Sequence, residues 1–295
     1  MLPAKIEQYI RPSSPSEAIA AMQAAEEGEA IFLAGGQSVM QAIKARMMQP
    51  SCIIDLQDLA DLKGIDANDG LTIGAMTRYV EIAEADNVPA AFGALQDAAQ
   101  HVGDRQVRNR GTIGGSCCWN YVASCMPAVC LGLGATMKLI DAQGATRDVP
   151  AEEFFIAPLE TARDEFEILM SLHWPTVEHD TGSAYKKWGL VKDALPVVGV
   201  CISLAVDSLG TCISASVSLS GLEDGAQLAP AASEALVGQV VDEKSILAAM
   251  NAAADAASVQ GDAAADTEYR KQLIRTLGVD VGLLALARAQ GQGER

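Results

Sequence analysis

Along the first 55 residues, short apolar runs alternate with stretches of helix-forming residues. Residues 6–10 carry the apolar/polar pattern of a short strand. Ser14-Pro15-Ser16-Glu17 then has the marks of a helix start, with proline and an acidic side chain in the first turn. Good helix formers at 18–25 end at Gly28. Residues 30–33 read as a short buried strand that runs straight into Gly35-Gly36, residues 39–48 as a helix, and residues 52–56 as the next strand. The pattern is a small α/β unit with glycines at a strand-to-helix turn.

The rhythm changes near Leu62. Gly64-Ile65-Asp66 and the run 71–75 flank Asn68-Asp69-Gly70, a hairpin-type turn signal. Helical segments follow at 79–84 and 89–101, then a basic loop at 105–110 and a second glycine cluster. Residues 130–140 are apolar and turn at Asp141-Ala142-Gln143-Gly144. A third region begins near Glu178, with strand-like runs at 197–206 and 212–219 joined across Asp207-Ser208-Leu209-Gly210. An alanine-dominated helical stretch at 229–265 and an amphipathic helix at 269–289 close the chain. The expected class is α+β in three parts, at 1–58, 59–177 and 178–295.

Composition narrows the function. With 38 acidic and 21 basic side chains the net charge is −17, which repels phosphate backbones and speaks against nucleic acid as a partner. No apolar run reaches the roughly 18–20 residues of a membrane helix. The N-terminal residues lack the basic start and apolar core of a secretory signal. Seven cysteines, four of them between Cys117 and Cys130, argue for a reducing compartment, and the expectation is a cytoplasmic protein.

Two glycine clusters carry the candidate chemistry. Ala34-Gly35-Gly36-Gln37-Ser38 lies between a strand and a helix, where glycine permits positive φ and close backbone approach to a phosphate. It is neither a Walker loop nor a GxGxxG fingerprint. Gly111-Thr112-Ile113-Gly114-Gly115-Ser116 follows a stretch with Arg105, Arg108 and Arg110. Together the two clusters suit a clamp on one dinucleotide from two lobes. The arginines fit a phosphate, an acidic partner or a solvated loop equally well.

These segments resemble the flavin-binding medium subunit of the molybdenum hydroxylases, the family of carbon monoxide and bacterial xanthine dehydrogenases. The resemblance rests on Ala-Gly-Gly-Gln-Ser at 34–38 and on Gln106-Val107-Arg108-Asn109-Arg110-Gly111-Thr112-Ile113-Gly114-Gly115. It continues in order through Ile54-Asp55-Leu56, Ile73-Gly74-Ala75-Met76-Thr77, Leu172-His173-Trp174-Pro175, Tyr185-Lys186-Lys187 with Asp193, and Glu268-Tyr269-Arg270. It implies a two-subdomain FAD-binding fold of the vanillyl-alcohol oxidase type followed by a C-terminal α/β domain. It also implies that Leu33, Ala34, Gly35, Gly36, Gln37 and Ser38, with Thr112, Ile113, Gly114, Gly115 and Ser116, cradle the FAD pyrophosphate. Gly103, Leu169 and Lys187 would lie at the flavin. The implied partners are a small subunit with two 2Fe–2S clusters and a large subunit with the molybdenum cofactor, assembled as a dimer of heterotrimers.

The sequence departs from the family pattern after the second glycine cluster. Ser116 stands where asparagine is usual, and Cys125 replaces an aspartate before Met126-Pro127, so one carboxylate contact to the cofactor becomes a thiol. Ala194 stands where a tyrosine often follows Asp193. The four clustered cysteines invite an iron–sulfur reading, but adjacent cysteines without an inserted loop fit a four-ligand cluster poorly, and buried small side chains near the flavin are expected instead. His101, His173 and His179 show no ligand spacing. Three functions are in view: an electron-transfer subunit, a self-contained flavin oxidoreductase of the same fold, and a flavin-free assembly subunit.

Overall fold

The structure is a computed structural model that describes residues 5–26, 28–177 and 179–292; Met1–Ala4 and the boundary residue Glu178 lie outside them. The N-terminal part runs β1 (Gln8–Ile10), α1 (Pro15–Ala24), β2 (Ala30–Leu33), α2 (Val39–Lys44) and β3 (Cys52–Asp55). Its sheet is parallel in the order β1-β3-β2, so both connections cross over through a helix. Ser14 caps α1 by accepting from the Glu17 N–H at 3.2 Å, as the Ser-Pro-Ser-Glu sequence predicts. Ile19, Ile54 and Leu59 form a core that continues through Leu62 and Met76 into the next part.

The second part has β4 (Ile65–Asp66), β5 (Leu71–Gly74), α3 (Tyr79–Ala83), α4 (Gly93–His101), α5 (Arg105–Arg108), α6 (Ile113–Trp119) and α7 (Cys125–Gly132). It continues with β6 (Thr136–Ile140), β7 (Thr146–Pro150), α8 (Ala151–Phe154), β8 (Phe155–Ala157), β9 (Glu160–Thr161) and β10 (Ile168–Trp174). The expected hairpin forms, with Ile65 opposite Ile73 and Gly70 at φ +72° in the turn. The five-stranded sheet has the order β4-β5-β10-β6-β7, with β10 antiparallel to both neighbours. Residues 105–108 are helical where a loop was expected, because the Asp104 carboxylate accepts from the Val107 N–H at 2.8 Å and caps them. The apolar run at 130–140 is split: Cys130 belongs to α7, and the strand starts only at Thr136.

The last part is β11 (Asp180–Trp188), β12 (Val198–Val206), β13 (Cys212–Leu222) and β14 (Gly225–Leu228), followed by α9 (Pro230–Leu236), α10 (Glu243–Ala256) and α11 (Thr267–Ala289). The sheet is antiparallel in sequence order. One face packs on α9–α11 through Val200, Ile202, Val217 and Leu219 against Met250, Ile274 and Leu277. On the other face α7 presses in, with the Ser218 hydroxyl donating to the Ala128 carbonyl at 2.6 Å. Burial on both faces explains why β12 is a continuous apolar run without alternation. A Cβ on Gly282 of α11 would stand 2.6 Å from Ile246, so glycine permits the close approach of α10 and α11.

Candidate functional site

The two glycine segments meet. A Cβ on Gly35 would overlap the Arg110 carbonyl oxygen, and one on Gly115 would stand 3.2 Å from the Ala34 methyl. They form one wall of a cleft of about 610 Å³ to which all three parts of the chain contribute. That size lies within the roughly 300–1,000 Å³ of small-molecule sites.

Ala34, Gly35, Gly36, Gln37, Ser38, Gly103, Thr112, Gly114, Gly115, Ser116, Cys125, Leu169 and Lys187 line the cleft. Leu33 and Ile113 do not. Leu33 packs with Ile43 and Ile53 behind the first loop, and Ile113 is fully buried in the second core. Alternation along a strand and rotation along a helix turn these side chains inward beside neighbours that face the cleft.

The two loops differ in what their N–H groups do. In the second, the Ile113 N–H donates to the Thr77 carbonyl at 3.1 Å and the Gly114 N–H to the Ala75 carbonyl at 2.8 Å. The Gly115 N–H donates to the Thr112 hydroxyl at 3.1 Å and the Ser116 N–H to the Thr112 carbonyl at 3.2 Å. In the first, the N–H groups of Gly35, Gly36, Gln37 and Ser38 donate to no protein group among the described residues. The turn that aims them is fixed by Gly36 at φ +74°. Unspent donors on the first loop and spent donors on the second make the two loops unlike in what they can offer a bound anion.

Cys125 and Leu169, both buried, line the same cleft as Lys187 and residues 193–196. Burial pushes the Cys125 thiol up, opposed by the Lys187 charge and by the Tyr185 hydroxyl, so the thiol is neutral at pH 7. Burial pushes the Lys187 ammonium down, with Cys125 and Asp193 beside it opposing and the Arg108 charge adding. The Lys187 ammonium donates to the Ala194 carbonyl. Arg108 donates to the Gly103 carbonyl at 2.6 Å, so one of the three clustered arginines braces the cleft wall.

Tyr79 and Arg163 also line the cleft, and no sequence signal singled them out. Burial pushes the Tyr79 hydroxyl well above the usual tyrosine value, against the opposing pull of Ser116 beside it. Arg163 donates to the carbonyls of Asp164, Glu165 and Glu167 and so folds its own loop around itself. Trp119 lines the cleft as well. Of the clustered cysteines, Cys118 and Cys125 face the cleft, whereas Cys117 and Cys130 lie in the core with their sulfurs 3.7 Å apart. Among the described residues no group of three or more His, Cys, Asp or Glu converges on a metal position.

Residues 4–177 match the family described as the FAD binding domain in molybdopterin dehydrogenase. The chain belongs to that family. Residues 183–282 match its companion, the CO dehydrogenase flavoprotein C-terminal domain. The carbon monoxide dehydrogenase medium chain of Hydrogenophaga pseudoflava is 30% identical over 271 residues, 92% of this chain and 93% of that one. A solved structure of carbon monoxide dehydrogenase from the same organism superposes with a TM-score of 0.90 at 30% identity, covering 98% of this chain and 99% of the other. Quinoline 2-oxidoreductase from Pseudomonas putida 86 gives 0.89 at 27% identity, over the whole of both chains. The chain is thus an FAD-binding oxidoreductase component of the medium-subunit type. No helix among the described residues is long and apolar enough to cross a membrane.

The cleft fits that cofactor on its own terms. Four unspent N–H groups match a pyrophosphate, and the buried Cys125 and Leu169 with the Lys187 cation match a ring that gains charge on reduction.

Proposed function

We propose that the chain is the electron-transfer subunit of a molybdenum hydroxylase. It takes electrons from the 2Fe–2S clusters of a small partner, which draws them from the molybdenum cofactor of a large partner, and passes them to an external acceptor. Bound FAD supplies the exchange between paired and single electrons that such a relay needs. The residues proposed to hold it are Gly35, Gly36, Gln37 and Ser38 at the pyrophosphate, with Thr112, Gly114, Gly115 and Ser116 behind them. Gly103, Cys125, Leu169 and Lys187 serve the ring end. The proposed units are 1–58 and 59–177 for the FAD and 178–295 as the C-terminal domain, within a cytoplasmic dimer of heterotrimers. All seven cysteines being free thiols supports that compartment.

The observation that carries this reading is the set of unspent N–H groups at residues 35–38, on a cleft to which all three parts of the chain contribute. Two of the titratable groups that line the cleft are already engaged by the protein, Glu167 by Arg147 and Lys187 by the Ala194 carbonyl, which supports a relay over an oxidase acting alone.

The test is purification of the chain alone and with its neighbours. Expected results are a flavin absorbance spectrum from the chain alone, co-purification with iron and molybdenum from the source cell, and no substrate oxidation by the isolated flavin-loaded chain. A colourless chain that still assembles would favour the flavin-free assembly subunit. Turnover of an aldehyde or N-heterocycle by the isolated chain at the rate of the complex would favour the self-contained oxidoreductase.

A further inference from the structure

Arg270 lies outside the cleft on α11, yet it is buried to 5% exposure. One guanidinium nitrogen donates to two backbone carbonyls, Val197 at 2.6 Å and Gly221 at 2.8 Å. A second nitrogen pairs with the Asp262 carboxylate at 2.6 Å.

Both carbonyls belong to segments that lead into the ring end of the cleft. Val197 follows directly on 193–196, which line it, and its N–H closes that loop on the Trp188 carbonyl at 2.8 Å. Gly221 donates its own N–H to the Val122 carbonyl at 3.1 Å, and Val122 precedes the cleft residues Ala123, Ser124 and Cys125. The two carbonyl-bearing segments approach so closely that a Cβ on Gly221, at φ +83°, would stand 2.6 Å from the Val197 oxygen. Two carbonyls aimed at one point repel unless a shared donor sits between them, and here both accept from the same guanidinium nitrogen, a charged donor.

We propose that Arg270 is a positioning residue for the flavin end of the cleft. From the C-terminal domain it ties the 193–197 loop to the 122–125 turn, and so sets how tightly Cys125 and Ala194 close on the ring. Lys187 pins the same loop from inside the cleft at Ala194, and Arg270 pins it from outside at Val197. This inference rests on the FAD reading above.

The test compares the FAD-loaded full chain with its Arg270→Lys and Asp262→Asn variants. Amide exchange at Val197 and Gly221 and iodide quenching of the bound flavin are measured on each. Lysine keeps the charge but not the fork, so exchange at these two amides should rise by about tenfold, as for local opening, while that in β6 stays within about twofold. The quenching constant should rise about two- to fivefold as the ring end loosens, a readout that a purely structural arginine would leave unmoved. Asp262→Asn changes an exposed carboxylate and should move both readouts the same way by less; it carries the test if Arg270→Lys fails to fold. A wild-type chain that takes up no FAD overturns the functional reading and this inference with it. A chain that takes up FAD but shows unchanged quenching in both variants overturns this inference alone.

Discussion

Asp97 on α4 and Arg288 on α11, 191 positions apart, form a two-pronged ion pair with contacts of 2.6 and 2.8 Å. Both side chains are largely buried, at 14% and 10% exposure. The pair does more than join two charges. The Asp97 carboxylate also accepts from the Tyr185 N–H at 3.0 Å, and Arg288 donates to the Ser183 carbonyl at 2.8 Å. Together they lock β11 between α4 and α11, and β11 carries Lys187 into the cleft.

Removing one partner should therefore cost more than a surface pair would. Asp97→Ala leaves a buried guanidinium charge without its carboxylate and the Tyr185 N–H without its acceptor, at an expected loss of about 3–5 kcal/mol. Urea unfolding with an unchanged m-value would measure it. A loss below about 1 kcal/mol, the value of an exposed pair, would show that the lock is not formed.

The two glycine loops should respond differently to the same substitution. A Cβ on Gly114 would stand 2.5 Å from the Ala75 methyl, so Gly114→Val overpacks the junction with β5 and should cost about 1–3 kcal/mol or more of stability. A Cβ on Gly36 meets only the Met40 and Leu33 side chains, at 3.3 and 3.4 Å. Gly36→Val strains a residue at φ +74° and re-aims the unspent N–H groups. Its expected effect is a loss of FAD affinity of about tenfold or more with the chain still folded, since a few backbone donors each contribute about 1.5–3 kcal/mol to a charged group. Flavin titration and thermal unfolding of both variants separate the two roles. Equal loss of affinity without destabilisation in both would restore the symmetric picture.

What was legible in the sequence was what short-range chemistry decides. Gly35-Gly36 after an apolar run, Asn68-Asp69-Gly70 between two such runs, and the long stretches that became β12 and β13 each carry their own turn or pattern. Residues 113–132 gave no helix signal because glycine and cysteine are poor helix formers; the Thr112 cap and tertiary packing make α6 helical. β10 appeared only as a motif around His173, since its place between β5 and β6 depends on partners about a hundred residues away in one case. Which loop spends its N–H groups was out of reach for the same reason. Thr77 and Ala75, the acceptors, are set by the hairpin and not by the glycines.

Lys187 supplies a pH test. Burial holds its ammonium below the usual lysine value of 10.5, so the unfolded chain binds more protons between the lowered value and 10.5. In that window stability rises with pH, and the cost of the buried charge is greatest below it. The stability of the flavin-free wild type relative to Lys187→Met should therefore improve from pH 7 toward pH 10. Parallel denaturation curves across that range check the sign. A difference that stays flat would mean that Lys187 titrates as an exposed lysine.

Cys125 offers the most direct reading of the cleft through the cofactor. Its thiol is neutral at pH 7, because burial pushes it up more than Lys187 and Tyr185 draw it down. Cys125→Asp would place a carboxylate at the same buried point, where the Lys187 cation favours its ionised form. A negative charge there opposes the charge gained when the flavin is reduced, so the midpoint potential should fall. The scale is about 30 mV for each 1.4 kcal/mol of added repulsion in a two-electron couple. Cys125→Ser, neutral and nearly isosteric, should leave the potential close to that of wild type, which separates charge from packing. Iron content should be the same in all three proteins, because no other cysteine set converges with Cys125 among the described residues. A potential unmoved by the aspartate in a chain that retains its FAD would place Cys125 away from the ring. A loss of iron in the variants would instead make the thiol a cluster ligand.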